Sequence, residues 1–161
     1  MSNSAVRVLF LVIGAGVVWL AMTLTGARRD TSSSGQYIHT CSNATIAGQY
    51  GFQDDGTRVV DGKMVPYSAV RTAQFSGEGK HEGKGYVSIG GHVTAYTVTG
   101  KFTVAGDCTF VMDAVQTYGD GTAATPYKQF GIVVHGGKEI LELQTSSDRI
   151  QSGKYQKLTD Y

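Results

Sequence analysis

Glu142 stands in the run Lys138-Glu139-Ile140-Leu141-Glu142-Leu143-Gln144. In an extended strand Ile140, Glu142 and Gln144 share one face, and Leu141 and Leu143 share the other. A carboxyl group turned into a protein interior is costly unless paired, and burial raises its pKa. Held protonated, it would serve as a general acid or hydrogen-bond donor to a carbonyl, polarising an enone or dienophile. With Leu141 and Leu143 turned to the core instead, Glu142 is a solvated strand residue, as most charged residues are. The two arrangements differ only in strand parity.

Gln144 joins Glu142 as the second candidate for catalysis, and Tyr50, Tyr67, Tyr96, Tyr127 and Gln129 are candidates for substrate binding. Phenols and amides hold a carbonyl while the apolar bodies of the tyrosines shape a nonpolar chain. Any single tyrosine is equally a core residue, because aromatic bodies suit strands and cavity walls alike. Tyr127 and Gln129 follow an irregular stretch, Gln116 to Pro126, that is placed to serve as a mouth or lid. His39, His81, His92 and His135 have no metal-ligand spacing, and the last three fall at expected turns or strand ends, where exposure is the default. The segment Gly77 to Gly83 resembles a phosphate loop in composition but lacks the helix such a loop needs, and reads as a glycine-rich reversal. No Gly-x-Ser-x-Gly elbow or His-Glu-x-x-His pair occurs.

Strands must position these groups. From Cys41 onward, short alternating segments are punctuated by Asp54-Asp55-Gly56, Asp61-Gly62, Gly77-Glu78-Gly79, Gly90-Gly91, Gly106-Asp107, Gly119-Asp120-Gly121 and Gly136-Gly137. Glycine and Asp-Gly supply the positive φ of tight hairpin turns, so each cluster predicts a reversal. Alternation puts Ile46, Gly48, Tyr50 and Phe52 on one face, then Tyr67, Ala69, Arg71, Ala73 and Phe75. It also groups Tyr96, Val98, Phe102 and Val104, and then Cys108, Phe110, Met112 and Ala114. Gly77 to Gly85 is expected to be a reversal carrying His81 and Glu82. The fold class that follows is all-β: a small antiparallel barrel of eight or nine strands, preceded by an N-terminal apolar helix. Eight strands make a barrel just wide enough for side chains or one small ligand. Several strands are apolar on both faces, which suits an outer wall packed against another subunit.

The chain has 161 residues and a formal charge of +1. No basic run extends beyond Arg28-Arg29, which argues against nucleic acid as a partner. Residues 1–27 read as a signal sequence or membrane anchor, 28–40 as a polar linker and 41–161 as the barrel. Val8 to Leu24 is the apolar run, about 17 positions against the ~20 of a usual span. Arg28-Arg29 directly after it favours an anchor over prompt export. The expected location is membrane-associated or exported, with the cytosolic face still open. Cys41 and Cys108 are the only cysteines and match no metal pattern. In an exported domain they would form a disulfide; in a reducing compartment they would be small buried residues.

Cys41 to Phe52, Phe75 to Gly79, Thr97 to Cys108, Val133 to Ile140 and Gln144-Thr145 together resemble a family of small exported or anchored bacterial β-barrels. The resemblance lies in turns and core positions, so it implies fold more than activity. More distantly, the layout is similar to the allene oxide cyclase barrel-like group, which includes the spirotetronate-type cyclases. That resemblance implies a cofactor-free, metal-free barrel that closes rings in polyketide-like substrates. The expected function is therefore a cofactor-independent cyclase or isomerase acting on a hydrophobic small molecule. The alternative is a non-catalytic envelope barrel that binds a lipid or other small hydrophobic ligand.

Overall fold

The structure, a computed structural model, describes residues 40–158 apart from 125 and 147. The expected N-terminal apolar helix and linker lie outside those residues, as does His39. Among the described residues no helix is long and apolar enough to cross a membrane.

Eight antiparallel strands form a closed barrel in simple up-and-down order. They are β1 (Gly48–Val60), β2 (Lys63–Phe75), β3 (Lys80–Ile89), β4 (His92–Val104), β5 (Thr109–Tyr118), β6 (Tyr127–Val134), β7 (Glu139–Ser146) and β8 (Arg149–Lys157). Pairing of β1 with β8, from Tyr50 opposite Lys157 to Arg58 opposite Arg149, removes the sheet edges. Two connections are two-residue hairpin turns. Asp61 and Gly62 have φ of 49° and 73°, and Gly90 and Gly91 have φ of 58° and 91°, the positive pair a type I′ turn requires.

Four expected features differ. Asp54-Asp55-Gly56 is no reversal: β1 runs straight through it, because Gly56 is needed for close approach to β8. A Cβ there would lie 2.1 Å from the Ile150 carbonyl oxygen. The reversal expected over Gly77 to Gly85 ends by Gly79, and Lys80 to Gly85 belong to β3. Between Gln116 and Pro126, the strand β5 continues to Tyr118 before the chain turns. The strand expected from Thr45 starts only at Gly48, after a short 3-10 helix at Asn43–Ile46.

That helix caps one end of the barrel, with Ile46 fully buried and the Asn43 side chain accepting a 2.8 Å hydrogen bond from the Val104 amide. Cys41 is joined to Cys108 there, tying the start of the domain to the turn before β5 across 67 residues of sequence. Reduction is expected to lower stability by roughly 4 kcal/mol, the loop-entropy value for this separation. Thermal melts with and without reductant measure it; superimposable curves would show that the bridge constrains nothing.

Candidate functional site

The barrel interior has two unlike halves. Beside the capping helix the inward positions carry Tyr50, Phe75, Phe102, Phe110 and Ile140, all buried. Their rings are in contact: Phe75 lies 5.2 Å from Tyr50, 5.1 Å from Phe102 and 5.1 Å from Tyr155 between centroids, each edge-on. His81 belongs to this half too, 1% exposed and 4.6 Å from the Phe75 ring, which corrects its expected exposure at a turn. Burial, with the nearby Arg71 charge, pushes its pKa down to about 3, so it is a neutral core residue. His92 and His135 are exposed as expected.

Toward the other end the inward positions turn polar: Asp54, Arg71, Tyr67, Tyr96, Gln116, Tyr127, Gln129, Glu142, Gln144, Arg149 and Gln151 are all buried. Parity is settled here. Glu142 is 5% exposed and points inward, while Leu141 and Leu143, at 48% and 47%, face outward. Register sets the neighbours. On one cross-strand row Gly131, Glu142, Gly153, Asp54 and Ala69 follow one another from β6 through β7, β8 and β1 to β2. Met112, Gln129, Gln144, Gln151 and Gly56 make the next row.

Arg71 lies at the junction of the two halves. Its guanidinium carbon sits 3.7 Å from the Phe52 ring centroid, and Nη1 donates to the Tyr96 hydroxyl at 3.3 Å. Nη2 donates to the Tyr155 hydroxyl, which in turn donates to Gln129 Oε1 at 2.9 Å. Room for this long side chain comes from β3: a Cβ on Gly85 would lie 2.6 Å from Arg71 Cβ, and one on Gly83 3.1 Å from its Cδ. No carboxylate forms a salt bridge with Arg71 among the described residues. Its guanidinium remains charged in any protein environment.

The two acids respond to this setting. Burial pushes Glu142 up to about 8, the nearby Asp54 adding to the rise and Arg71 opposing it. Burial likewise lifts Asp54 to about 7 against the pull of Arg71, and the Ala69 amide hydrogen-bonds to it. Both oxygens of Glu142 and Oδ1 of Asp54 have no hydrogen-bond partner, nor do the amide nitrogens of Gln116, Gln129, Gln144 and Gln151. Buried polar atoms in folded proteins are nearly always partnered, by protein, water or ligand. Burial also lifts Tyr67 and Tyr96, and Tyr127 up to about 12, so these phenols stay protonated donors. At the rim, Asp148 accepts a hydrogen bond from Ser146 at 2.6 Å and pairs with Arg58 and Arg149 at 3.4 Å each. This network ties the end of β7 to β8 and β1.

No family model, curated protein or solved structure matches this chain. The site is therefore argued from its own geometry. Of the residues singled out in the sequence, Glu142, Gln144, Tyr67, Tyr96, Tyr127 and Gln129 come together in the polar half. Tyr50 does not: it is in the aromatic half, and its hydroxyl donates to the Gly137 carbonyl. Sequence reasoning missed Asp54, Arg71, Arg149, Gln151 and Tyr155. For Arg71 a signal existed, since it shares parity with Tyr67, Ala69, Ala73 and Phe75. Asp54 was hidden by its place in an apparent turn. Large concavities of about 680 and 600 Å³ are open grooves on the outer wall, lined by Lys101, Asp113 and Lys128 and by Thr72, Lys84 and Thr97 respectively. Inside, the aromatic half is occupied by its own rings. The polar half holds most of the buried polar atoms that lack a partner among the described residues.

Proposed function

We propose that this barrel binds a small carbonyl-bearing molecule in its polar half and activates it, without a cofactor, for ring closure or isomerisation. The observation that carries the reading is Glu142, inward, buried and with both oxygens unpartnered beside the free amide donors of Gln129 and Gln144. A carboxylic acid held neutral near pH 7 donates a hydrogen bond to a bound carbonyl compound or transfers a proton to it. Amide donors fixed in the same region stabilise negative charge as it develops there. The barrel wall supplies orientation, which by itself lowers barriers for a folded substrate. The concentration of polar groups in this half favours a substrate with a polar end over a wholly apolar polyene.

A second reading, a non-catalytic envelope barrel holding a lipid or other small hydrophobic ligand, is favoured by the aromatic cluster and by the Cys41–Cys108 disulfide. Native mass spectrometry of protein isolated from its own host separates bound from empty. We expect one small molecule per chain in wild type and its loss in Glu142→Leu, with the barrel's circular dichroism unchanged. A wild-type chain of bare mass, or a Glu142→Leu variant that keeps its passenger, counts against the reading. Retained passenger with unchanged chemistry would favour the second.

A further inference from the structure

We propose that Asp54 and Glu142 form one acid–base pair that moves a proton along a bound β,γ-unsaturated ketone, converting it to the conjugated isomer. The inference rests on the reading above, that a carbonyl compound occupies the polar half, and adds Asp54 as the second catalytic group.

Glu142 on β7 and Asp54 on β1 are both opposite Gly153 of β8, so only a glycine separates them along that row. A Cβ on Gly153 would lie 2.6 Å from Asp54 Cβ, so the space above that glycine is left to the aspartate, and the charge of Asp54 is felt at Glu142. Each acid points inward, each is at most 5% exposed, and each presents oxygen atoms that no protein group uses. Unpartnered amides flank them: Gln144, two residues along β7, is opposite Gln151 on one side and Gln129 on the other. Gln129 is oriented by accepting from the Tyr155 hydroxyl through Oε1, which leaves its amide nitrogen as the free end.

Charge then fixes the working state. Two carboxylates in one low-dielectric enclosure cannot both be ionised cheaply, while one cation nearby favours a single negative charge. Arg71 from β2 supplies that cation. Other ionisable groups facing the pair are Tyr67 on β2, Tyr96 on β4, Tyr127 on β6 and Tyr155 and Arg149 on β8. The phenols remain neutral, and Arg149 is paired with Asp148. One acid and one base are thus held in the same row.

The reaction balances without an oxidant or reductant. The Asp54 carboxylate forms an O–H bond as the C–H bond between the carbonyl and the alkene breaks, and the electron pair passes into a dienolate. The Gln129 and Gln144 amides hold the developing oxyanion. The O–H bond of Glu142 then breaks as a C–H bond forms at the γ carbon, giving the conjugated ketone. The proton now on Asp54 returns to Glu142 across Gly153, restoring the pair.

Cyclohex-3-en-1-one is the probe. Saturation-transfer NMR reads its binding, and ultraviolet absorbance reads the conjugated enone. Wild type is expected to bind and isomerise it, and Asp54→Asn and Glu142→Gln each to lower the rate about 100-fold or more with binding retained. Binding without isomerisation by wild type overturns the pair and leaves the proposed function standing; absence of binding overturns both. Loss of rate in only one variant reduces the pair to a single acid and overturns it. Where a variant fails to fold, carboxyl ¹³C titration of wild type decides. Two coupled steps support the pair, and two independent single-site curves overturn it.

Discussion

Replacing Arg71 with alanine is expected to destabilise the barrel by roughly 3–5 kcal/mol, the size of two lost hydrogen bonds from a charged donor together with an unfilled cavity. Three losses combine. The Tyr96 and Tyr155 hydroxyls each lose a charged donor, and Phe52 loses the guanidinium stacked on its face. The trough above Gly83 and Gly85 is left unfilled, because neither glycine has a side chain to fill it. Asp54 and Glu142 also lose the cation that favours their ionised forms, so both should titrate at still higher pH. Arg71→Met separates these effects: it refills much of the trough while leaving the hydroxyls without their donor. Urea midpoints should place Arg71→Met between wild type and Arg71→Ala. A loss below about 1 kcal/mol in the alanine variant, the size of an ordinary surface change, would mean that Arg71 does not organise the interior.

Arg71 also shows where sequence reading stops. The Asp61-Gly62 and Gly90-Gly91 turns were legible because a two-residue hairpin demands positive φ at both central positions, and few residues supply it. The parity of β7 was legible in the same sense: Ile140, Glu142 and Gln144 had to share a face, though which face was open. Glycine carried a second meaning that composition does not separate from the first. Gly56, Gly83, Gly85 and Gly153 mark places where a neighbouring strand or a long inward side chain comes too close for a Cβ. Reading Gly56 as a turn removed Asp54 from the interior, and reading Gly83 and Gly85 as a reversal moved His81 to the surface. Pairing of β3 with β2 and β4 returns His81 to the interior, and closure of β1 onto β8 returns Asp54; the closure joins the two ends of the domain, which local patterns do not encode. Charged residues on strands are ordinarily exposed, so the parity that placed Arg71 among apolar residues was overridden, and Arg149 became visible only when the barrel closed around it.

Stability is expected to peak between about pH 4 and 5 and to fall toward neutral and alkaline pH. Asp54 and Glu142 have raised pKa values in the folded state, so the fold holds their protons more tightly than the unfolded chain does. As pH climbs from about 4, the unfolded carboxylates ionise freely while the buried ones do not, and stability drains away until about pH 7 to 8. At 1.36 kcal/mol per pKa unit, the Glu142 shift alone corresponds to an effect on the order of 5 kcal/mol. His81 works in the other direction. Its folded pKa, about 3, lies below the unfolded value, so stability is lost as pH falls from 6.5 toward 3. Between pH 6.5 and 4 two protons on the acids compete with one on the histidine, and the acids prevail. Below pH 4 only the histidine loss remains, joined by Asp148, whose carboxylate is held low against its burial by Ser146, Arg149 and Arg58. Urea midpoints measured from pH 4 to 9 should therefore trace a maximum on the acid side. Glu142→Gln should flatten the alkaline limb, because an amide has no proton to lose. Stability that instead rose steadily from pH 5 to 8 would mean that both acids are ionised and solvated, and the chemistry assigned to the polar half would go with them.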